Sequence, residues 1–148
     1  MSDLRDLYQE VILDHGKRPR NFGPLEGANR TQEGYNPLCG DRLTVFLQVD
    51  ESGVVREVTF EGTGCAISTA SASMMTQTLR GKTVQQAHEI FRRFHDLVTG
   101  KAQPSEDLGK LAVFGGVSEF PLRVKCATLP WHTVIAAVDG SDEPVTTE

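Results

Sequence analysis

The chain reads as an α+β fold, a small antiparallel sheet of about three strands with helices packed on one face. Two patterns carry this expectation. Leu43, Val45, Leu47 and Val49 alternate with Thr44, Gln48 and Asp50, the period of a half-buried strand. Asp50-Glu51-Ser52-Gly53 then turns the chain, and 54–61 returns beside it with Val58 and Phe60 on one face. By contrast, Val84, Ala87, Phe91, Phe94 and Val98 step by three and four, which places a helix over 83–98.

The other elements follow in order. Leu4, Leu7, Tyr8, Val11, Ile12 and His15 fall at helical spacing, so 3–15 is expected to be an amphipathic helix, ended by Gly16 and Pro19. The stretch 17–42 is rich in Gly, Pro and Asn and suits an irregular segment with one short strand near 30–35. After the hairpin, 65–79 carries small Ala and Ser side chains for close packing, with Ile67, Met74 and Met75 as its apolar stripe. The segment 101–125 reads as loop and short helix, with Leu108, Leu111, Val113, Phe114, Val117 and Phe120 as core. A last helix is expected from near Cys126 to about Val138. Pro130 is tolerated there if it lies in the first turn, where its missing N–H has no internal partner. Trp131, Val134, Ile135 and Val138 share one face, and 140–148 is expected to be a polar, acidic, disordered tail. No internal repeat or composition shift marks a boundary, so 1–148 reads as a single domain.

Composition excludes several functions. At 148 residues the chain can bury a core without disulfide staples, and 24% charged with 39% hydrophobic residues is ordinary for a soluble protein. No apolar run approaches the ~20 residues of a membrane span. The N-terminus lacks the basic flank and apolar stretch of a signal peptide. Three cysteines, an odd number, then argue for a reducing compartment and a cytoplasmic location. A net charge of -5 gives no basic footprint for nucleic acid.

Each cysteine has a pointed setting. Cys39 lies in Asn36-Pro37-Leu38-Cys39-Gly40-Asp41, Cys65 follows Gly62-Thr63-Gly64, and Cys126 ends Arg123-Val124-Lys125. Three thiols and the Asp41 carboxylate are four anionic donors, the number a tetrahedral Zn²⁺ site requires. A lone buried cysteine is usually just a small hydrophobe. Here placement speaks for chemistry, because Cys65 and Cys126 fall at expected helix N-termini, which favour a thiolate. Spacing adds little: gaps of 26 and 61 residues are unlike the close ligand pairs of a zinc ribbon or finger. The histidines offer less. His88 and His95 are two turns apart on one helix, about 10 Å by helical rise. His132 projects from a different face than Cys126, and His15 sits where a cation would favour a helix end. Lys125 is protonated and not a ligand. Arg123 is equally readable as a partner for Asp41 or a thiolate and as an ordinary surface arginine.

Several blocks resemble the U-type iron–sulfur biogenesis proteins, the IscU/NifU-like family. They are Leu7-Tyr8 through His15 with Pro19-Arg20-Asn21, then the Cys39–Asp41 loop, and Gly64-Cys65-Ala66-Ile67-Ser68 continuing to Met74-Met75-Thr76-Gln77. The third cysteine block, 120–129 with Trp131, completes a likeness spanning roughly residues 4–138. The scaffold branch of that family places a histidine immediately before its third cysteine, where this chain has Lys125. The extra residues around 100–116, which the scaffold branch lacks, also resemble the zinc-dependent SufU branch.

By that resemblance Cys39, Asp41, Cys65 and Cys126 would bind Zn²⁺, and Cys39 would accept sulfur from a SufS-type cysteine desulfurase. The sulfur would pass on to a downstream iron–sulfur scaffold complex, with no nucleic acid and no membrane involved. Cys39 is expected to leave the metal when the partner docks and to attack the outer sulfur of its persulfide, with Arg123 orienting Asp41 or the freed thiolate. Two alternatives stand beside this reading: a cluster-assembly scaffold using the same ligands, and a non-catalytic module stabilised by zinc. A zinc hydrolase fits poorly, since it needs an open coordination position and the chain has no HExxH.

Overall fold

The computed structural model describes residues 2–37, 40–102, 106–140 and 145–146, excepting the side chains of 2–8, 106, 107 and 146. The elements run α1 (Ser2–Lys17), β1 (Arg30–Asn36), β2 (Asp41–Val49), β3 (Val55–Thr63), α2 (Ala66–Leu79) and α3 (Val84–Val98). A 3-10 segment (Glu106–Glu119), α4 (Pro121–Val138) and the two-residue β4 (Val145–Thr146) complete the chain. β1, β2 and β3 form the expected antiparallel sheet, in spatial order β3-β2-β1-β4.

The hairpin alternation is visible in the burial. Leu43, Val45, Leu47 and Val49 all face the core, while Arg42 before them and Gln48 among them are exposed. The helices cover that buried face. α2 can lie close because its Ala and Ser side chains are small, and Ala70, Ser71, Ala72 and Ser73 are all buried. α4 crosses β1 at Gly34, where an added Cβ would lie 2.0 Å from the Thr133 hydroxyl, so only glycine permits the approach. Trp131 stacks on Phe94 with centroids 4.8 Å apart, and its indole N–H donates to Ser71 Oγ, joining α4, α3 and α2. α3 begins at a capping box between Thr83 and Gln86.

Several expectations need correction. Phe120, read as core, is 46% exposed. α4 starts at Pro121, not near Cys126, because a proline at the first helical position is already set to helical φ and gives up no hydrogen bond. Pro130 therefore sits inside the helix rather than in its first turn. In the tail, Val145–Thr146 pairs parallel with Gly34–Tyr35 of β1 instead of being disordered; 141–144 and 147–148 lie outside the described residues. His15 is not an exposed cation but 4% exposed, its Nδ1 2.7 Å from Ser73 Oγ, and burial lowers its pKa first of all. The same Ser73 hydroxyl accepts from the Arg20 N–H, so α1 and the chain after it are fastened onto α2.

Candidate metal centre

The ends of three elements meet at one rim of the sheet. Asp41 opens β2 directly opposite Asn36 of β1, and Arg42 pairs with Thr63 at the end of β3. That register carries Gly64 and Cys65 across to the Asp41 carboxylate. Cys65 is the N-cap of α2, with extended backbone, and its Sγ accepts from the Ser68 N–H at 3.4 Å. Its own N–H donates to Asp41 Oδ1 at 2.9 Å, while Asp41 Oδ2 stands 3.8 Å from Cys65 Sγ. α4 brings Cys126 to the same point from its second turn. Asp41 and Cys126 are buried, at 1% and 3% exposure, and Cys65 opens to solvent.

One donor atom from each of Asp41, Cys65 and Cys126 lies within 4.8 Å of the others, the only such triad among the described residues. Zinc bonds of about 2.0–2.3 Å need only slight side-chain closure to bridge them, and two thiolates with one carboxylate are a fitting donor set. The thiol of Cys65 is already biased toward ionisation. Its pKa is lowered to about 7, chiefly by the hydrogen bond with Cys126 and, against the cost of burial, by the backbone N–H groups of Ser68 and Ile67; the Asp41 charge opposes this.

The fourth expected donor, Cys39, lies outside the described residues; in sequence it stands two residues before Asp41. Arg123 does not reach Asp41. It is exposed in the first turn of α4, its guanidinium 4.5 Å over the Phe120 ring, and it makes no ion pair among the described residues. Cys126 is one helical turn further along, on the same side of α4. His132 faces α3, against Phe91 and His95, and contributes nothing to the centre.

Two further residues shape the site. Ser68 supplies the N–H that caps the Cys65 sulfur. Gly64 matters for what it lacks: a Cβ there would lie 2.9 Å from Asp41 Oδ1. Its signal in the sequence was a glycine directly between a strand and a cysteine that caps a helix. Gly64→Ala is expected to push the carboxylate off the Cys65 amide and weaken zinc binding by about 10–100-fold, the usual cost of disturbing a ligand's support. Competition against a chromophoric chelator measures this, and unchanged affinity would refute the steric argument.

The model of the NifU-like N-terminal domain matches residues 7–127 of this chain. The zinc-dependent sulfurtransferase SufU of Bacillus subtilis is 45% identical over 134 residues, covering 90% of each chain. An iron–sulfur cluster assembly scaffold protein IscU of Streptococcus pyogenes is 39% identical over 142 residues, covering 95% of this chain and 88% of its own. Among solved structures, one from Fervidobacterium islandicum, described as an iron–sulfur cluster assembly scaffold protein for the SUF system, superposes with a TM-score of 0.82. It is 37% identical and covers 90% of this chain and 98% of its own.

Proposed function

Because the chain belongs to the NifU-like N-terminal domain family, we propose that it is a zinc-dependent sulfurtransferase serving iron–sulfur cluster assembly in the cytoplasm. The observation that carries this reading is the convergence of Asp41, Cys65 and Cys126 at one rim of the sheet. Its likeness to a relative named for zinc-dependent sulfur transfer, and Lys125 before the third cysteine, support it further. No described helix is long and apolar enough to cross a membrane.

Zinc would be held by Asp41, Cys65, Cys126 and Cys39, and would supply deprotonated thiolates without redox chemistry of its own. The rest is the work of the chain. Cys65 and Cys126 are the anchors, one capped by a backbone N–H and one buried in α4. Cys39, two residues before Asp41 in sequence, is the sulfur acceptor. Its thiolate attacks the outer sulfur of a persulfide on a SufS-type cysteine desulfurase. A new S–S bond forms, the partner's S–S bond breaks, and the partner's cysteine leaves as thiolate, giving Cys39–S–SH. Arg123, exposed and one turn before Cys126, would have to leave the Phe120 ring to act, and is assigned to orient the freed Cys39 thiolate once the partner docks. The sulfur then passes to a downstream iron–sulfur scaffold complex.

A second reading, the cluster-assembly scaffold, rests on the relatives named as scaffolds. Metal analysis of protein purified without added metal separates the two. One zinc per chain, lost when the cysteines are alkylated, is the expected result. Bound iron, with visible charge-transfer absorption after anaerobic reconstitution with iron and sulfide, would replace the transfer reading by the scaffold one.

A further inference from the structure

Six residues beyond Cys126 on α4, a groove of about 260 Å³ opens against α3, lined by His88, Phe91, Arg92, His95 and His132. We propose that this groove binds a small organic anion, a phosphate or carboxylate head on a flat apolar body. The lining is one-sided in its chemistry: four nitrogen-bearing side chains and one phenyl ring, with no carboxylate. In a chain of net charge -5, this lining departs from the overall charge balance.

Most of those donors are not used within the chain. Arg92 makes no ion pair among the described residues, whereas its neighbour Arg93 is engaged by Glu89. His95 and His132 meet other groups through their ring faces and edges only, and no ring nitrogen of either is hydrogen-bonded among the described residues. His88 alone is satisfied, its Nε2 2.8 Å from Asp139. An oxyanion accepts from several donors at once, and a guanidinium is shaped to grip it with two parallel bonds. The groove is larger than an oxyanion needs and approaches the lower end of small-ligand pockets, about 300 Å³. Phe91 and His132, edge to face with centroids 5.0 Å apart, offer a wall for a flat body.

A divalent cation is disfavoured by the same geometry. With His88 held by Asp139, only two imidazoles remain, and Arg92 repels a metal. Burial, then the neighbouring His95, lowers the pKa of His132. A bound anion would offset the cost of charging that ring, so binding has a direct titration signature.

Proton NMR of the histidine ring signals in the zinc-loaded full chain tests the proposal, with phenyl phosphate, benzoate and inorganic phosphate as probes. Phenyl phosphate or benzoate should shift the ring signals of His95 and His132 saturably and raise the pH at which His132 titrates, while buried His15 stays unmoved. Whichever of the two binds tighter identifies the head group. Arg92→Gln should weaken the better probe on the order of tenfold, the usual consequence of removing one charge-assisted hydrogen bond. Phe91→Leu should erase the advantage of phenyl phosphate over inorganic phosphate, or lower benzoate affinity if that probe is the better one. Shifts that rise without saturating for both organic probes, or that are the same in Arg92→Gln, would overturn the assignment.

Discussion

With Cys39 replaced by alanine, sulfur transfer from a cysteine desulfurase to this chain is expected to fall by a factor on the order of 10³ or more, as when a covalent nucleophile is removed. Mass spectrometry of the trapped chain reads this as loss of the increment for one sulfur atom, and desulfurase turnover reads it as loss of stimulation. The result is discriminating because the structure offers a rival. Cys65 is exposed and its pKa is lowered to about 7, the profile of a reactive thiol. Yet its sulfur accepts the Ser68 N–H, and the hydrogen bond with Cys126 is the largest cause of its lowered pKa. Moving it toward a partner would uncap α2. Continued sulfur loading of the Cys39→Ala chain would mean that Cys65 is the acceptor after all.

Removing the metal should have the next largest effect. A zinc ion present at about 1,000 times its dissociation constant adds about 4 kcal/mol to folding, which for a chain of this size raises Tm by roughly 8–16 °C. Chelation should therefore lower Tm by about that amount. Asp41→Ala should start from the lower value and no longer respond to chelator, because it removes a donor and also the acceptor of the Cys65 N–H. Calorimetry on both proteins decides the matter. A wild-type Tm that does not move once zinc is gone would leave the ion no part in stability.

Much of this architecture was legible in the sequence where the periodicity is local. The β2 alternation and the α3 stripe needed nothing beyond their own residues, and both stand. The errors fall where the deciding forces are remote or local punctuation cuts both ways. Pro121 reads as a breaker but serves as a helix start, so α4 gained five residues and Cys126 lost its place at a helix N-terminus. β4 is two residues long and exists only because β1 has a free edge beside it, which no pattern in 140–148 announces. At the site, the three donors were legible as residue types, but their convergence depends on the β2–β3 register and on where α4 crosses the sheet. Arg123 was open in the sequence between a partner for Asp41 or a thiolate and a surface arginine, and its exposed guanidinium lies over the ring of Phe120.

Pro130 removes one hydrogen bond from α4 at a place that matters to the metal centre. It has no N–H to offer the carbonyl of residue 126, the helical bond that would otherwise tie the cysteine's turn to the next one. Proline in a helix interior costs about 3 kcal/mol, and here it falls between the turns that carry Cys126 and those that carry Trp131. The helix nevertheless runs on as one element, because a single residue of α2 spans the gap: Ser71 Oγ donates to the Ala127 carbonyl and accepts from the Trp131 indole N–H. With Ala127 and Leu129 also fully buried, side-chain clamping from α2 replaces the missing backbone bond and keeps the turn bearing Cys126 in line with the core.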